Sequence, residues 1–317
     1  MCGHRQTLRL GAAALAAAAA LAGCGASEPN QDADAAAQVP DPGFGHVHGL
    51  DINPADGLLY AATHYGVWRV PTEGKPVRIA DRYQDTMGFT IAGPDRFLGS
   101  GHPDLREKMP SHLGLIESRD RAQTWTPLSL LGEADFHALE AKHGRIFGYD
   151  STSSTFMVTD DGKAWQRLAQ LALHDFTVAP SQPNVVLGGG EGGLVRSNDG
   201  DTAFAPVPSA PQLVFVDWSA GGLYGLDTAG VVWASADGGT TWERTGELGS
   251  PPGALTVTET GQLFAANEEG VVTSQDGGHT FTPVVRYSPT THGAATNPSV
   301  AASASSRAGS TALATRT

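Results

Sequence analysis

Between residues 44 and 287 the chain alternates short apolar runs with polar turns that contain glycine. Many of the runs alternate apolar and polar positions, the period of a half-buried β-strand. Residues 47–52, 58–62, 66–70 and 76–80 form four such runs in succession. The grouping then repeats. Each unit has a first run, a polar turn, and a second run such as Leu223-Tyr224-Gly225-Leu226. A turn with glycine, a third run and a short fourth run, as in residues 281–285, complete it.

Most third runs end in one octet, clearest in Ser235-Ala236-Asp237-Gly238-Gly239-Thr240-Thr241-Trp242. Its residue types suit a tight loop between strands. The short Asp side chain can accept backbone N–H groups just ahead of it. Glycine takes positive φ without a Cβ penalty, and Trp buries a large apolar face. Ser274-Gln275-Asp276-Gly277-Gly278-His279-Thr280-Phe281 is a close second copy. Looser copies surround Asp199, Asp161 and Asp120, the last with neither glycine. The five aspartates recur about every 40 residues, and four strands in that period make a propeller blade. An extra unit without the octet precedes them. Six units, starting near His46, Met87, His137, His174, Val216 and Gly253, predict an all-β, six-bladed β-propeller of four-stranded antiparallel blades. An open β-solenoid or a seven-bladed ring is the alternative, but no room is left for a seventh unit before the tail.

The octets resemble the Asp-box, or BNR, repeats of bacterial sialidases and related propellers. The resemblance covers the whole of residues 44–287. It implies that Asp120, Asp161, Asp199, Asp237 and Asp276 are structural turn residues on the side of the ring away from any active site. It implies little about activity, because one fold hosts many functions. Such proteins are often labelled glycosyl hydrolases on this basis. A sialidase needs an arginine cluster, and most arginines here map to third strands, bottom turns or fourth strands. Only Arg82 and Arg106 map near the top.

The ends change the picture of where the propeller sits. Residues 1–23 carry Arg5 and Arg9, then an Ala/Leu run too short to span a bilayer, then Leu21-Ala22-Gly23-Cys24. This is an export signal, and its end resembles the bacterial lipobox, which implies cleavage before Cys24 and lipid on its thiol. Residues 24–43 read as a flexible tether. Residues 288–317, rich in Ser, Thr, Ala and Gly, read as a disordered tail. The expected location is extracytoplasmic, anchored to the outer face of the cell membrane through Cys24. Of the two cysteines, Cys2 leaves with the signal, so no intramolecular disulfide is expected. The net charge of −13, lower still without Arg5 and Arg9, argues against nucleic acid as a partner.

The strand order predicts where chemistry can gather. First-strand starts and second-strand ends share the top mouth of the ring, and the octets fall on the opposite face. His48, Met87, His137 and His174 occupy one register in four consecutive units, and His46 stands two residues before His48. His64 and His102 occupy one register at the ends of second strands, and Glu191 lies at the same level in the fourth unit. The loop after His102 is long and carries Met109 and His112. Of 11 histidines, at least six therefore map to one face.

Three readings follow. A metal site would use His48, Met87, His137 and His174. Imidazole suits zinc and copper, and a thioether selects Cu(I), so copper or zinc is the candidate cofactor. A glycoside hydrolase would use two opposed carboxyls from among Asp85, Asp135, Asp150, Glu191, Asp227 and Glu268. A binding propeller would hold an envelope protein, a glycan or a metal ligand at the same mouth, with His46, His48, His64, Met87, His102, His137, His174 and Glu191 lining it.

Overall fold

The computed structural model describes residues 41–200 and 203–287. The signal, Cys24, most of the tether and the tail lie outside the described residues. Twenty-four strands form six sheets of four, and each sheet is one contiguous stretch of chain. Blade 1 is β1 (Val47–Ile52), β2 (Leu59–Thr63), β3 (Gly66–Val70) and β4 (Val77–Arg78). Blade 2 is β5 (Asp85–Gly93), β6 (Arg96–His102), β7 (Leu115–Ser118) and β8 (Thr126–Ser129). Blade 3 is β9 (Phe136–Lys142), β10 (Arg145–Asp150), β11 (Thr155–Thr159) and β12 (Gln166–Gln170). Blade 4 is β13 (Asp175–Val178), β14 (Val186–Gly189), β15 (Val195–Ser197) and β16 (Ala205–Pro206). Blade 5 is β17 (Leu213–Ser219), β18 (Gly222–Asp227), β19 (Val231–Ser235) and β20 (Glu243–Glu247). Blade 6 is β21 (Pro252–Val257), β22 (Leu263–Asn267), β23 (Gly270–Ser274) and β24 (Thr282–Arg286). Neighbouring strands are antiparallel throughout, so the expected six-bladed all-β propeller is the observed architecture.

The ring closes where β1 meets β21. Phe44 packs edge-on against Trp68 at 5.3 Å and against Tyr287 at 5.8 Å, in a core cluster that also holds Val47 and Ala254. Residues from both ends of the propeller thus share one apolar cluster, which holds a ring with no strand exchanged between its first and last blades.

The octets form the turns between third and fourth strands. Asp237 Oδ1 accepts the Ser235 hydroxyl and the Thr240 and Thr241 N–H groups, and Oδ2 accepts the Thr241 hydroxyl. Asp276 repeats the pattern with Ser274 and Thr280. Asp120 does so with Ser118 and Thr124. The turn needs two successive residues at positive φ, supplied by Gly238 and Gly239. In the copy without glycine, Arg121 and Ala122 take φ of 60° and 64°, a conformation L-residues adopt at a cost. The Trp at the octet's end can bridge blades: Trp165 stacks on Phe136 of its own blade at 4.7 Å and donates its indole N–H to Ser129 of blade 2 at 2.9 Å.

The inner strands carry a feature invisible in the linear pattern. The register shifts at the top of β1, β5, β9, β17 and β21, so each has a β-bulge there. The bulges take up His48, Met87 with Gly88, His137, Val214 and Gly253. Bulges re-aim side chains and end pairing, which is how these positions come to face the mouth. The bulge also corrects one alignment: in blade 5 the position equivalent to His48 is Val214, not Val216. Counting three residues on from each of these positions, and from His174 in the unbulged β13, gives Asp51, Thr90, Glu140, Thr177, Asp217 and Thr256, an alternation of acid and Thr around the channel. Four of them accept a main-chain N–H from the next blade: Asp51 from Ile91, Glu140 from Val178, Thr177 from Trp218 and Asp217 from Val257. An inner strand has an unpaired edge facing its neighbour, and these side chains satisfy it.

Candidate functional site

The first strands of the six blades enclose a cavity of about 570 Å³ along the ring axis. His46, His48, Met87, His137 and His174 line its mouth end with Asp175 directly after His174, and Asp51, Glu140, Lys142, Asp217 and Glu259 line it further along the inner strands. The strand directions make the octet turns and the mouth opposite ends of each blade.

At the mouth, the bulge at His48 turns its ring toward the end of β2. The His64 N–H, just past β2, donates to the His46 carbonyl at 3.2 Å and so fixes the two segments against each other. His48 Nε2 then lies 3.1 Å from His64 Nδ1. Asp85, the first residue of β5 in the next blade, completes the group. Its Oδ1 is 3.0 Å from His64 Nδ1 and 3.3 Å from His48 Nε2. His48 and His64 are hydrogen-bonded to each other, whereas Asp85 Oδ1, close to both, is a buried oxygen with no hydrogen-bond partner. His46 joins from the other side, its ring 4.8 Å from that of His48 and 5.5 Å from that of His64. One ligand atom from each of His46, His48 and His64 lies within 4.8 Å of the others.

The electrostatics match. Burial alone would raise the Asp85 pKa, but the imidazole nitrogens of His48 and His64 outweigh it and hold the carboxyl well below the usual carboxylate range. The His64 ring is pushed up, chiefly by Asp85. His46 keeps one side open to solvent, yet enclosure of its ring and repulsion from His48 and His64 push it down to about 4, so it is neutral at pH 7 with a free lone pair.

A second cluster lies one blade on. Asp135 stands two residues before His137, as Asp85 stands two before Met87. His137 Nε2 is 3.0 Å from Asp135 Oδ2, and His102 and His112 approach the same oxygen at 3.7 and 3.8 Å. His174 sits further round the channel wall. Its ring packs edge-on against Phe215 at 4.7 Å, and burial first, then His137, lowers its pKa. Glu191 is exposed and raises the His174 pKa without being bonded to it.

The structure therefore brings His46, His48 and His64 together and gathers His102 and His137 around Asp135. His48, His137 and His174 all face the cavity but do not form one ligand group among the described residues. Asp85, Asp135 and His112 are the partners that the linear pattern did not place with the histidines. Of the carboxyls at the mouth, Asp150 is bonded to Thr152 and Ser153, and Asp227 caps a turn through the Ala229 and Val231 N–H groups. The two arginines near the top are also engaged, Arg82 with Glu107, and Arg106 with Asp104 and Asp81.

On the channel wall, burial raises three carboxyls: Asp51 to about 7, Asp175 to about 8 and Asp217 to about 6. Each is deeply enclosed but keeps some surface open to the channel. For Asp51 the folded chain holds a proton that the unfolded chain, with a carboxyl near 3.8, releases. Its stabilising contribution is complete below that value and is lost as pH rises through about 7. In urea unfolding between pH 5 and 8, the Asp51→Asn protein is expected to lose less stability with rising pH than the wild type. An unchanged slope would contradict the raised carboxyl.

No family model matches the chain, and no curated protein matches it. Solved structures do. The GH74 enzyme of Niastella koreensis superposes with a TM-score of 0.56 at 15% identity, covering 75% of this chain and 45% of that one. The GH74 xyloglucanase of Xanthomonas campestris gives 0.52 at 17% identity, with the same coverage of 75% and 45%. A gluconolactonase from Xanthomonas campestris gives 0.58 at 15% identity, covering 72% of this chain and 86% of that one. The chain spans less than half the length of the two GH74 proteins. At these identities the likeness is one of fold.

Proposed function

We propose that the protein binds a transition-metal ion at the mouth of its propeller, through His48, His64 and Asp85 with His46 as the fourth donor. The observation that carries this is the triangle of His48 Nε2, His64 Nδ1 and Asp85 Oδ1, with sides of 3.0, 3.1 and 3.3 Å. His48 and His64 share one hydrogen bond whose donor depends on the tautomer, and the buried Asp85 oxygen beside them has none; a cation in place of the proton would engage all three atoms at once. Ligand atoms on a tetrahedral ion with bonds of about 2.1 Å are separated by roughly 3.4 Å, close to these sides. Imidazole and carboxylate donors suit zinc or Cu(II), and the Met87 thioether on the cavity wall keeps Cu(I) in the comparison.

The mouth carboxyls fit this reading better than glycoside hydrolysis. That chemistry needs one carboxyl held protonated. Asp85, Asp135 and Asp150 are instead all shifted down, and the raised carboxyls, Asp51, Asp175 and Asp217, each accept a main-chain N–H of the next blade.

Chelator competition with zinc and with copper, on purified wild type and on the His48→Ala and His64→Ala proteins, tests the reading. The wild type is expected to hold an ion that both variants lose. Equal affinity in all three proteins would refute it.

Lipid on Cys24 would place this mouth outside the membrane on a tether, where it meets metal ions or metal-bearing partners of the envelope. The Cys24→Ser protein is expected to move from the membrane to the soluble extracytoplasmic fraction. Retention in the membrane would remove the anchor from the account.

A further inference from the structure

The second cluster carries its own chemistry. Asp135 is 5% exposed, and its Oδ1 is buried with no hydrogen-bond partner. His112 Nδ1, which faces Asp135 at 3.8 Å, is likewise buried and unpartnered. His102 supplies the third donor, and its tautomer follows from its neighbour. Its Nδ1 lies 2.9 Å from the Ser111 carbonyl, which can only accept, so Nδ1 carries the proton. Unless the ring is charged, Nε2 then presents a lone pair to Asp135 Oδ2 at 3.7 Å. A lone pair aimed at a carboxylate is unfavourable without a cation between them.

We propose that His102, His112 and Asp135 form a second metal site, distinct from the His48–His64–Asp85 site and held by blade 2, its long loop and the entry to blade 3. The proposal extends the metal-binding reading but rests on different residues. One ligand atom from each of the three lies within 4.8 Å of the others. The 3.7 and 3.8 Å separations exceed a hydrogen bond and lie near the roughly 3.4 Å between ligands on one tetrahedral ion with 2.1 Å bonds. His137 donates from Nε2 to Asp135 Oδ2 and orients the carboxylate, the part an outer partner plays for a ligating group. Two imidazoles and one carboxylate leave coordination positions for water, unlike a closed four-ligand set. His102 and His112, 41% and 31% exposed, keep those positions in reach of solvent.

Zinc titration of the full chain, read as ions bound per chain, tests this, with Co(II) in place of zinc giving an absorption band for each site. Two ions are expected in the wild type. The His112→Ala and His102→Ala proteins are each expected to bind one, at the affinity of the first site. The His48→Ala–His64→Ala double variant is expected to bind one, lost when His112→Ala is added. Melting of the metal-free proteins separates loss of a ligand from loss of fold. One ion in the wild type, lost in the double variant and kept in His112→Ala, would sink the second site and leave the first. One ion lost in His112→Ala and kept in the double variant would do the reverse. Two ions retained in His112→Ala would overturn the assignment of its ligands.

Discussion

The Asp85→Asn protein is expected to bind zinc more weakly than the wild type by more than the roughly 10–100-fold that losing an outer partner of a ligand costs, and His48→Ala at least as much more weakly. The asparagine is nearly the same size, so the change is one of charge and donor. Asp85 Oδ1 lies 3.0 and 3.3 Å from the His64 and His48 nitrogens. Without an ion, those nitrogens draw the carboxyl's pKa down, and the carboxyl draws that of His64 up. With an ion, the charge serves the metal. The amide cannot supply that charge, and its NH2 group would turn a donor toward nitrogens that need their lone pairs. Affinity equal to wild type in Asp85→Asn, read by competition against a chromophoric chelator, would remove Asp85 from the site.

Replacing Lys142 with alanine is expected to destabilise the propeller by about 3–5 kcal/mol, the range for breaking a buried ion pair from one side. The Lys142 ammonium reaches Glu140 at 2.5 Å, the Val178 carbonyl at 2.8 Å and the Trp218 carbonyl at 2.6 Å. One side chain thus ties β9 to β13 and β17, across three blades. Burial works against its charge, but Glu140 and then Asp217 outweigh that and keep it protonated. Alanine would leave Glu140 without its cation among acidic neighbours. Glu140→Gln should recover part of the loss when combined with Lys142→Ala, because the pair is coupled. Urea denaturation of the two single variants and the double variant measures this. Additive losses would mean the pair does not act as one.

The fold was legible because its punctuation is chemical. Each octet fixes a turn through one Asp, and the spacing of Asp120, Asp161, Asp199, Asp237 and Asp276 counts blades whatever lies between. β1 and β3 fall at the expected residues. The bulges were not legible, since a bulge is a property of a pair of strands and one strand's sequence does not show it. The acid–Thr alternation from Asp51 to Thr256 was the available signal, and placing Asp217 level with Asp51 would have moved the alignment to Val214.

The mouth was half legible for a related reason. His46, His48 and His64 were placed by strand register, and register survives without coordinates. Asp85 and Asp135 were grouped with the other top carboxyls, because nothing linear ties them to imidazoles in another blade or at the end of a loop. His112 stood out only as part of a long loop, whose path is set by Leu113 burying completely beneath it.

X-ray absorption at the metal edge of the zinc-loaded His112→Ala protein tests the central claim most directly. That variant leaves only the first mouth site. A shell of nitrogen and oxygen at about 2.0–2.1 Å, with the outer-shell scattering of two or three imidazoles and lost in His48→Ala, is the result the geometry predicts. A shell of oxygen alone, or an imidazole signal unchanged by His48→Ala, would contradict it.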